Sequence, residues 1–241
     1  MNTLQDKVVL VFGSSGLLGS NLIPLLKAAG AHVICPSHSE ADIADKKVWQ
    51  VIGWHMPDII VNLAAYTDVA GAETPQGRDD AVRTNIYGSR MVCEAAQFFD
   101  AKVVYISSDY VYPGHKGPYA VEEADPCCSY GITKYVGEWF CREDTDLVIR
   151  TSLKARNTWG PNGHKKVFHP VTTNADWVDV IAEKIVAVVG DERVGVINLG
   201  TEPKTLLSMA KSEYPEVEVL DVDEVDLPYR YPKDCSMMLD E

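Results

Sequence analysis

The 241-residue chain lacks any long hydrophobic run, and its longest apolar stretches, such as "VVLVF", are only strand-length. A helix that crosses a bilayer needs about 20 apolar residues, so no membrane span is expected. In "MNTLQDKVVL", Asp6 and Lys7 stand where a secretory signal would need its apolar core, and a cytoplasmic location is the expectation. Basic residues are scarce: 22 Lys and Arg face 35 Asp and Glu, a formal net charge of −13. General nucleic-acid binding needs a basic footprint and is disfavoured. The six cysteines form no C-x-x-C pair, and no Cys/His cluster has zinc spacing, so no metal site is expected. They read as reduced structural thiols, and the adjacent Cys127 and Cys128 suggest nothing beyond loop packing. Internal repeats and low-complexity segments are also missing. What remains is an ordinary globular composition, 46 % hydrophobic and 24 % charged, on a chain long enough for one large domain or a domain with a small lobe.

Apolar periodicity then divides the chain. "KVVLVF", ended by Gly13, reads as a strand, and "GLLGSNLIPLLKAAG" as a helix with Gly30 beyond its end and Pro24 awkwardly inside it. "AHVIC" and "DIIVNLAA" read as strands around the short helix "KKVWQVIGW". "GRDDAVRTNIYGSRMVCEAAQFF" predicts one long helix, "AKVVYIS" a fourth strand, and "SYGITKYVGEWF" another helix. "DLVIR" and "VGVINLG" are further strands, with the helix "ADWVDVIAEKIVAVV" between them. Strands without strict alternation, separated by helices, indicate an α/β fold: a doubly wound parallel sheet covered on both faces. The Pro/Gly-rich stretch 112–128 is a long loop of the kind that often carries function.

The first strand runs into "GSSGLLG", with Gly13, Gly16 and Gly19 spaced three apart. Such a turn lets a pyrophosphate approach the backbone donors at a helix N-terminus. Close helix–sheet packing without a ligand is the alternative. A carboxylate directly after the second strand would bond the 2′-hydroxyl of NAD. Here Ser37 and His38 follow instead, which leaves room for a 2′-phosphate and leans toward NADP(H), with NAD(H) possible; Asp42 is placed to accept from the adenine amino group. The fourth strand ends in Ser107, Ser108 and Asp109, at the sheet edge where ligands of such folds sit. Tyr130 and Lys134, four apart, share one helix face. A nearby ammonium favours the phenolate and lowers a tyrosine pKa from about 10. Tyr130 could then protonate a carbonyl oxygen as hydride arrives from a nicotinamide, Ser108 bonding the same oxygen and Lys134 also holding the nicotinamide ribose. An ordinary surface pair is the other reading of Y-x-x-x-K.

Charge is unevenly spread. Residues 213–226 hold seven acids and no base, while Leu147 to Ala175 holds no acid but Arg150, Lys154, Arg156, Lys165 and Lys166. The basic segment is either a local anion site or a solvated loop.

Nearly the whole chain, in order, resembles the extended short-chain dehydrogenase/reductases, and most closely their dTDP-4-dehydrorhamnose reductase branch. The stretches that carry this are "VFGSSGLLGS", "SEADIAD", "PDIIVNLAAYTDVAGAE", "NIYGS", "VYISSDYVYPG", "SYGITKYVGE", "LVIRTS", "HPVTTNADWVDVIAEKI", "GVINLG" and "YPKDCSMMLD". The resemblance implies an NADPH-dependent reductase of a nucleotide-linked 4-keto-6-deoxy sugar. Its rivals are a nucleotide-sugar epimerase or dehydratase, and a cofactor-binding regulatory subunit without turnover. It implies a dinucleotide site at Gly13, Ser15, Gly16, Leu17, His38, Asp42, Ile43, Leu63, Ala64, Ala65 and Tyr66, completed by Tyr130 and Lys134. Ser108, Tyr130 and Lys134 become the catalytic trio, with Asp109 beside them and Asn85 in a supporting helix; the branch typically has threonine at the Ser108 position, and serine keeps the hydroxyl. Lys154, Arg156 and Lys165 fall where the family binds the substrate's diphosphate, while Trp159 would stack on a base or pack the lobe. Only seventeen residues separate Ser152 from Pro170, where the family carries a longer insert, so the substrate lobe should be trimmed. The implied division is a dinucleotide-binding unit of residues 1–150 with 174–200 returning to it, and a lobe of 151–173 and 201–241. Homodimerisation is common in such proteins.

Overall fold

The structure is a computed structural model, and it describes residues 4–240. Six strands form a parallel sheet: β1 (Val8–Phe12), β2 (His32–Ile34), β3 (Ile59–Asn62), β4 (Lys102–Ile106), β5 (Leu147–Arg150) and, after four short lobe strands, β10 (Gly195–Asn198). Their order is β2-β1-β3-β4-β5-β10, and every neighbouring pair is parallel. The strand order reverses between β1 and β3, which makes the mouth between their carboxyl ends the topological switch point, where ligands of such sheets bind.

The near-continuous apolar strands follow from burial on both faces. Val9, Val11, Ile59, Val61, Val104, Leu147 and Ile149 face α1 (Leu17–Ala28) and α6 (Val178–Val189), whose Leu22, Leu26, Ile181 and Ile185 complete one core. The residues between them, Leu10, Phe12, Ile60, Val103, Tyr105 and Val148, face the other way. There they meet Val48 and Ile52 of α2 (Lys47–His55) and Val92 and Ala96 of α4 (Ser89–Phe98). Helix α1 continues past Pro24.

The long helix expected over 77–99 is not one helix. It divides into α3 (Pro75–Ala81), a π-helical segment Val82–Gly88, and α4. A widened turn of this kind inside a helix is commonly tied to a functional site, and here it carries Asn85, fully buried. The Asn85 amide accepts from the Tyr66 N–H at 2.8 Å and donates to the Tyr66 carbonyl at 3.1 Å and the Thr133 hydroxyl at 3.0 Å. It thereby ties the segment after β3 to α5 (Ser129–Glu138).

The rest of the chain builds a small lobe over the carboxyl edge of the sheet. β6 (Leu153–Lys154) pairs with β9 (Asp176–Trp177), β7 (Lys166–His169) with β12 (Glu218–Asp221), and β8 (Thr172–Thr173) with β11 (Lys204–Thr205). With α7 (Leu206–Glu213) they enclose a separate apolar core of Trp159, Val167, Val171, Leu206, Met209 and Val217. No helix among the described residues is long and apolar enough to cross a membrane.

Candidate active site

The carboxyl ends of β1, β3, β4 and β5 open into one cavity of about 710 Å³. At its first end lies the glycine turn. Gly13 has φ +77°, and a Cβ there would stand 2.6 Å from the Ala64 nitrogen, so the close approach of the β1 and β3 ends requires glycine. A Cβ on Gly19 would meet the Ser14 carbonyl at 2.5 Å, so packing accounts for that glycine too. Gly16 is different: its Cβ would touch only the Gly13 oxygen at 3.3 Å, and packing alone does not explain it. The first turn of α1 carries no acidic side chain, which leaves its N-terminal donors and dipole free for an anion. These features fit a dinucleotide: open backbone donors at a helix N-terminus, with a walled cavity leading away from them.

Every residue named above for the dinucleotide lines this cavity, from Gly13, Ser15, Gly16 and Leu17 through His38, Asp42 and Ile43 to Leu63, Ala64, Ala65 and Tyr66. Asp42 is held by Arg83 at 2.6 Å and by the Ala44 N–H at 3.0 Å, with His38 at 3.6 Å. Ser37 and Glu40 close the turn after β2, the Glu40 carboxylate accepting from both the Ser37 N–H and its hydroxyl at 2.7 Å.

At the other end the cavity is lined by Ser108, Asp109, Tyr130, Lys134 and Lys154. Two elements bring the first four together. The Ser108 hydroxyl caps the turn after β4 by accepting from the Tyr110 N–H at 3.2 Å, and donates to Asp109 at 3.3 Å. The Cys128 thiol caps the start of α5, accepting from the Gly131 N–H at 3.4 Å, while Cys127 donates to the Arg230 carbonyl at 3.5 Å. The adjacent cysteines thus fix the helix that presents Tyr130. The Glu73 carboxylate receives the Ser129 N–H and hydroxyl at 2.7 and 2.9 Å, holding the same helix end.

The electrostatics differ from the expectation of a phenol acidified by its neighbour. Desolvation pushes the Tyr130 hydroxyl up to about 12, the hydrogen bond from Ser108 opposing it. The Lys134 ammonium points elsewhere: it donates to the Ile106 carbonyl at 2.7 Å and lies 4.2 Å from the centre of the Tyr105 ring. Burial pulls Lys134 down to about 7, with Glu138 and Cys141 pulling it back up. Half-neutral near pH 7 and turned to a carbonyl, Lys134 does not depress the phenol in this arrangement. Burial likewise raises the Asp109 carboxyl, against Lys154 and the hydroxyls of Ser152, Thr173 and Ser108.

Three of the four residues considered for the substrate lobe, Arg156, Trp159 and Lys165, lie off the cavity wall, and for Trp159 the lobe-packing alternative holds. Arg156 does not line the cavity; its guanidinium grips Asp179 at 2.7 and 3.1 Å and lies over the Trp177 ring. Trp159 is 5 % exposed inside the lobe core, so it packs the lobe and presents no face for a base. Lys165 is exposed and also lies off the cavity wall. Only Lys154 of that set reaches the cavity.

Sequence reasoning missed the support behind the trio. Glu138, one helical turn beyond Lys134, is buried with Arg150, which donates to it through Nε at 3.0 Å and NH2 at 2.7 Å. Ser107 donates to the same carboxylate in a very short hydrogen bond. Arg150 also reaches Tyr112 at 3.1 Å and the Val121 carbonyl at 2.6 Å, so α5, β4, β5 and the long loop meet at one buried charge pair. The i, i+4 spacing in "KYVGE" was the available signal for Glu138. Tyr110 was missed as well; its ring stands edge-on to Tyr130 at 5.8 Å.

Known proteins resemble the chain in sequence and in fold. The dTDP-4-dehydrorhamnose reductase of Streptomyces griseus is 34 % identical over 189 residues, which is 76 % of this chain and 58 % of that protein. Its counterpart from Aggregatibacter actinomycetemcomitans is 33 % identical over 187 residues, 73 % of this chain and 61 % of that one. The chain therefore spans about three-fifths of the length of these curated relatives. The crystal structure of dTDP-4-dehydrorhamnose reductase from Bacillus anthracis, in complex with NADP, superposes with a TM-score of 0.87 at 26 % identity, covering 98 % of this chain and 92 % of that one. The sequence profile described as the RmlD substrate binding domain matches residues 7–187, three-quarters of the chain, and the chain belongs to that family.

Proposed function

We propose that this protein is an NADPH-dependent reductase of a nucleotide-activated 4-keto-6-deoxy sugar, of the kind its relatives' names describe. The observation that carries the reading is the meeting of Ser108, Tyr130 and Lys134 in the same cavity as the glycine turn. When bound, the reduced nicotinamide supplies hydride to the carbonyl carbon; the rest of the chemistry falls to the chain. A phenol held at about 12 stays protonated at neutral pH, so Tyr130 enters the reaction as a loaded acid and gives its proton to the carbonyl oxygen. The Ser108 hydroxyl lies beside Tyr130 and is placed to bond that oxygen as charge develops on it. The glycine turn and the α1 N-terminus would hold the pyrophosphate, and Lys134 lines the same cavity, where its ammonium can donate to a ribose hydroxyl.

The test is oxidation of NADPH with dTDP-4-dehydrorhamnose as acceptor. Turnover is expected, and Tyr130→Phe should lower it by about 100-fold or more while leaving NADPH affinity within a few-fold. Tight NADPH binding with no turnover on this or other 4-keto-6-deoxy nucleotide sugars would overturn the reading.

A further inference from the structure

The two groups placed to act on a carbonyl stand on different elements. Ser108 follows β4, and Tyr130 lies in the first turn of α5. The hydrogen bond from the Ser108 hydroxyl to the phenol survives only if the end of β4 and the body of α5 keep a fixed separation. A displacement of about 1 Å in such a contact can cost about 100-fold in rate. Consecutive residues at the end of β4 make the ties that hold this separation. The Tyr105 hydroxyl donates to the Lys134 carbonyl, at a long 3.4 Å. The Ile106 carbonyl receives the Lys134 ammonium at 2.7 Å, but that side chain also lines the cavity, so a bound ribose competes for it. The third tie is the Ser107 hydroxyl donating to the Glu138 carboxylate, both residues being buried.

The third tie differs from the others in what stands behind it. Ser107 directly precedes Ser108, and Glu138 lies about two helical turns beyond Tyr130 on the same helix. Glu138 and Arg150 are off the cavity wall, so no ligand there competes for them. Arg150 grips the Glu138 carboxylate through Nε at 3.0 Å and Nη2 at 2.7 Å. The same guanidinium donates to the Tyr112 hydroxyl at 3.1 Å and to the Val121 carbonyl at 2.6 Å, which anchors it on the long loop as well as on β5. A carboxylate held by two charge-assisted bonds from so fixed a partner does not drift, and the end of β4 stays with it. Stability is a weak reason for such a pair, because exchanging a buried ion pair for apolar groups of similar volume is often neutral or stabilising.

We propose that Glu138 is a positioning residue: it holds Ser107 on one side and shares a helix with Tyr130 on the other, and so sets the separation between the Ser108 hydroxyl and the Tyr130 phenol. The proposal rests on the reading of those two groups as the ones that act on the carbonyl, and it assigns their alignment to a carboxylate that touches neither substrate nor cofactor.

Carbon NMR of the protein made with Cζ-labelled tyrosine tests this without turnover. The Tyr130 signal is the one lost in Tyr130→Phe, and Ser108→Ala shows where it lies without the hydrogen bond. Ser107→Ala leaves the Glu138–Arg150 pair whole and should unfold at a denaturant midpoint close to wild type. It should move the Tyr130 signal toward its Ser108→Ala position. It should also lower kcat by about tenfold or more while KM for NADPH stays within about twofold. Exchanging the pair, Glu138→Met together with Arg150→Met, should keep most of the stability and still show the same shift and the same loss of kcat. A merely structural pair would return both to wild type once stability is restored. The proposal is wrong if the Tyr130 signal or kcat stays at its wild-type value in Ser107→Ala, or if the wild-type signal already coincides with that of Ser108→Ala. Absence of wild-type turnover on any 4-keto-6-deoxy nucleotide sugar would instead overturn the reductase reading, and the NMR shift would still decide whether Glu138 positions the pair.

Discussion

At the scale of single residues, the conflict is between chemistry and burial. Lys134 sits 2 % exposed, with its ammonium answered by one carbonyl and an aromatic face, and burial brings it down from 10.5 to about 7. Between those two values the unfolded chain holds a proton that the folded chain has released. Wild-type stability therefore rises as pH climbs from 7 toward 10.5, and the cost of burying the charge is felt in full below pH 7. At about 1.4 kcal/mol per unit, that cost is on the order of several kcal/mol. Replacing Lys134 by Met removes it, and loses the hydrogen bond to Ile106 and the contact with the Tyr105 ring, together worth about 1–3 kcal/mol. Lys134→Met should consequently be more stable than wild type at pH 6, with the gap closing between pH 7 and 10. Urea unfolding at three pH values checks this; a variant less stable at pH 6, or a gap independent of pH, would mean that Lys134 is not a strained charge. A stabilising change at a site residue is the usual sign of stability given up for function.

At the scale of elements, periodicity identified the central strands because each is apolar on both faces, and it identified most helices. It failed at 82–88, since a π turn leaves the apolar spacing of a long helix nearly intact and is set by a distant partner. That partner is the backbone of Tyr66, which Asn85 brackets from both sides. Helix α5 was legible for the same reason as α4, but its closeness to the sheet was not. Gly137 faces the Tyr105 hydroxyl and the Asn85 carbonyl, where a Cβ would stand at 2.5 and 2.6 Å. Tyr105 is fully buried and the other contact is backbone, so neither yields cheaply. Gly137→Ala should push α5 outward and cost about 1–3 kcal/mol, read as a lower denaturant midpoint with unchanged m-value. An unchanged midpoint would show that α5 has room to move, and that Tyr130 and Lys134 are less firmly placed than their contacts imply.

At the scale of the molecule, the legible part of the site was the part built from short motifs at strand ends: the glycine turn, Ser108, and the Tyr130–Lys134 pair all line one cavity. The substrate side was not legible, because a charge in a sequence does not say which acid will claim it. Arg156 went to Asp179, twenty-three residues away, and only the fold decides such pairings. Trp159 likewise went to the lobe core, and that core is separate from the two that cover the sheet. Cores that share few contacts open independently, so the lobe should have its own, lower free energy of opening. Trp159 is its largest buried side chain, it meets Trp177 edge-on at 6.4 Å, and its backbone N–H is bonded to Glu213 of α7 at 3.2 Å. Trp159→Ala removes about 3–5 kcal/mol of packing. If the two parts are independent, native-state hydrogen exchange should lose protection in β7, α7 and β12 while β1, β3 and β4 keep theirs, and NADPH affinity should stay within a few-fold of wild type. Uniform loss of protection would show that sheet and lobe unfold as one body. The selective outcome would mean that the lobe can loosen while the glycine-turn end of the cavity holds, so that under the proposed function the lobe would select the sugar and the sheet the cofactor.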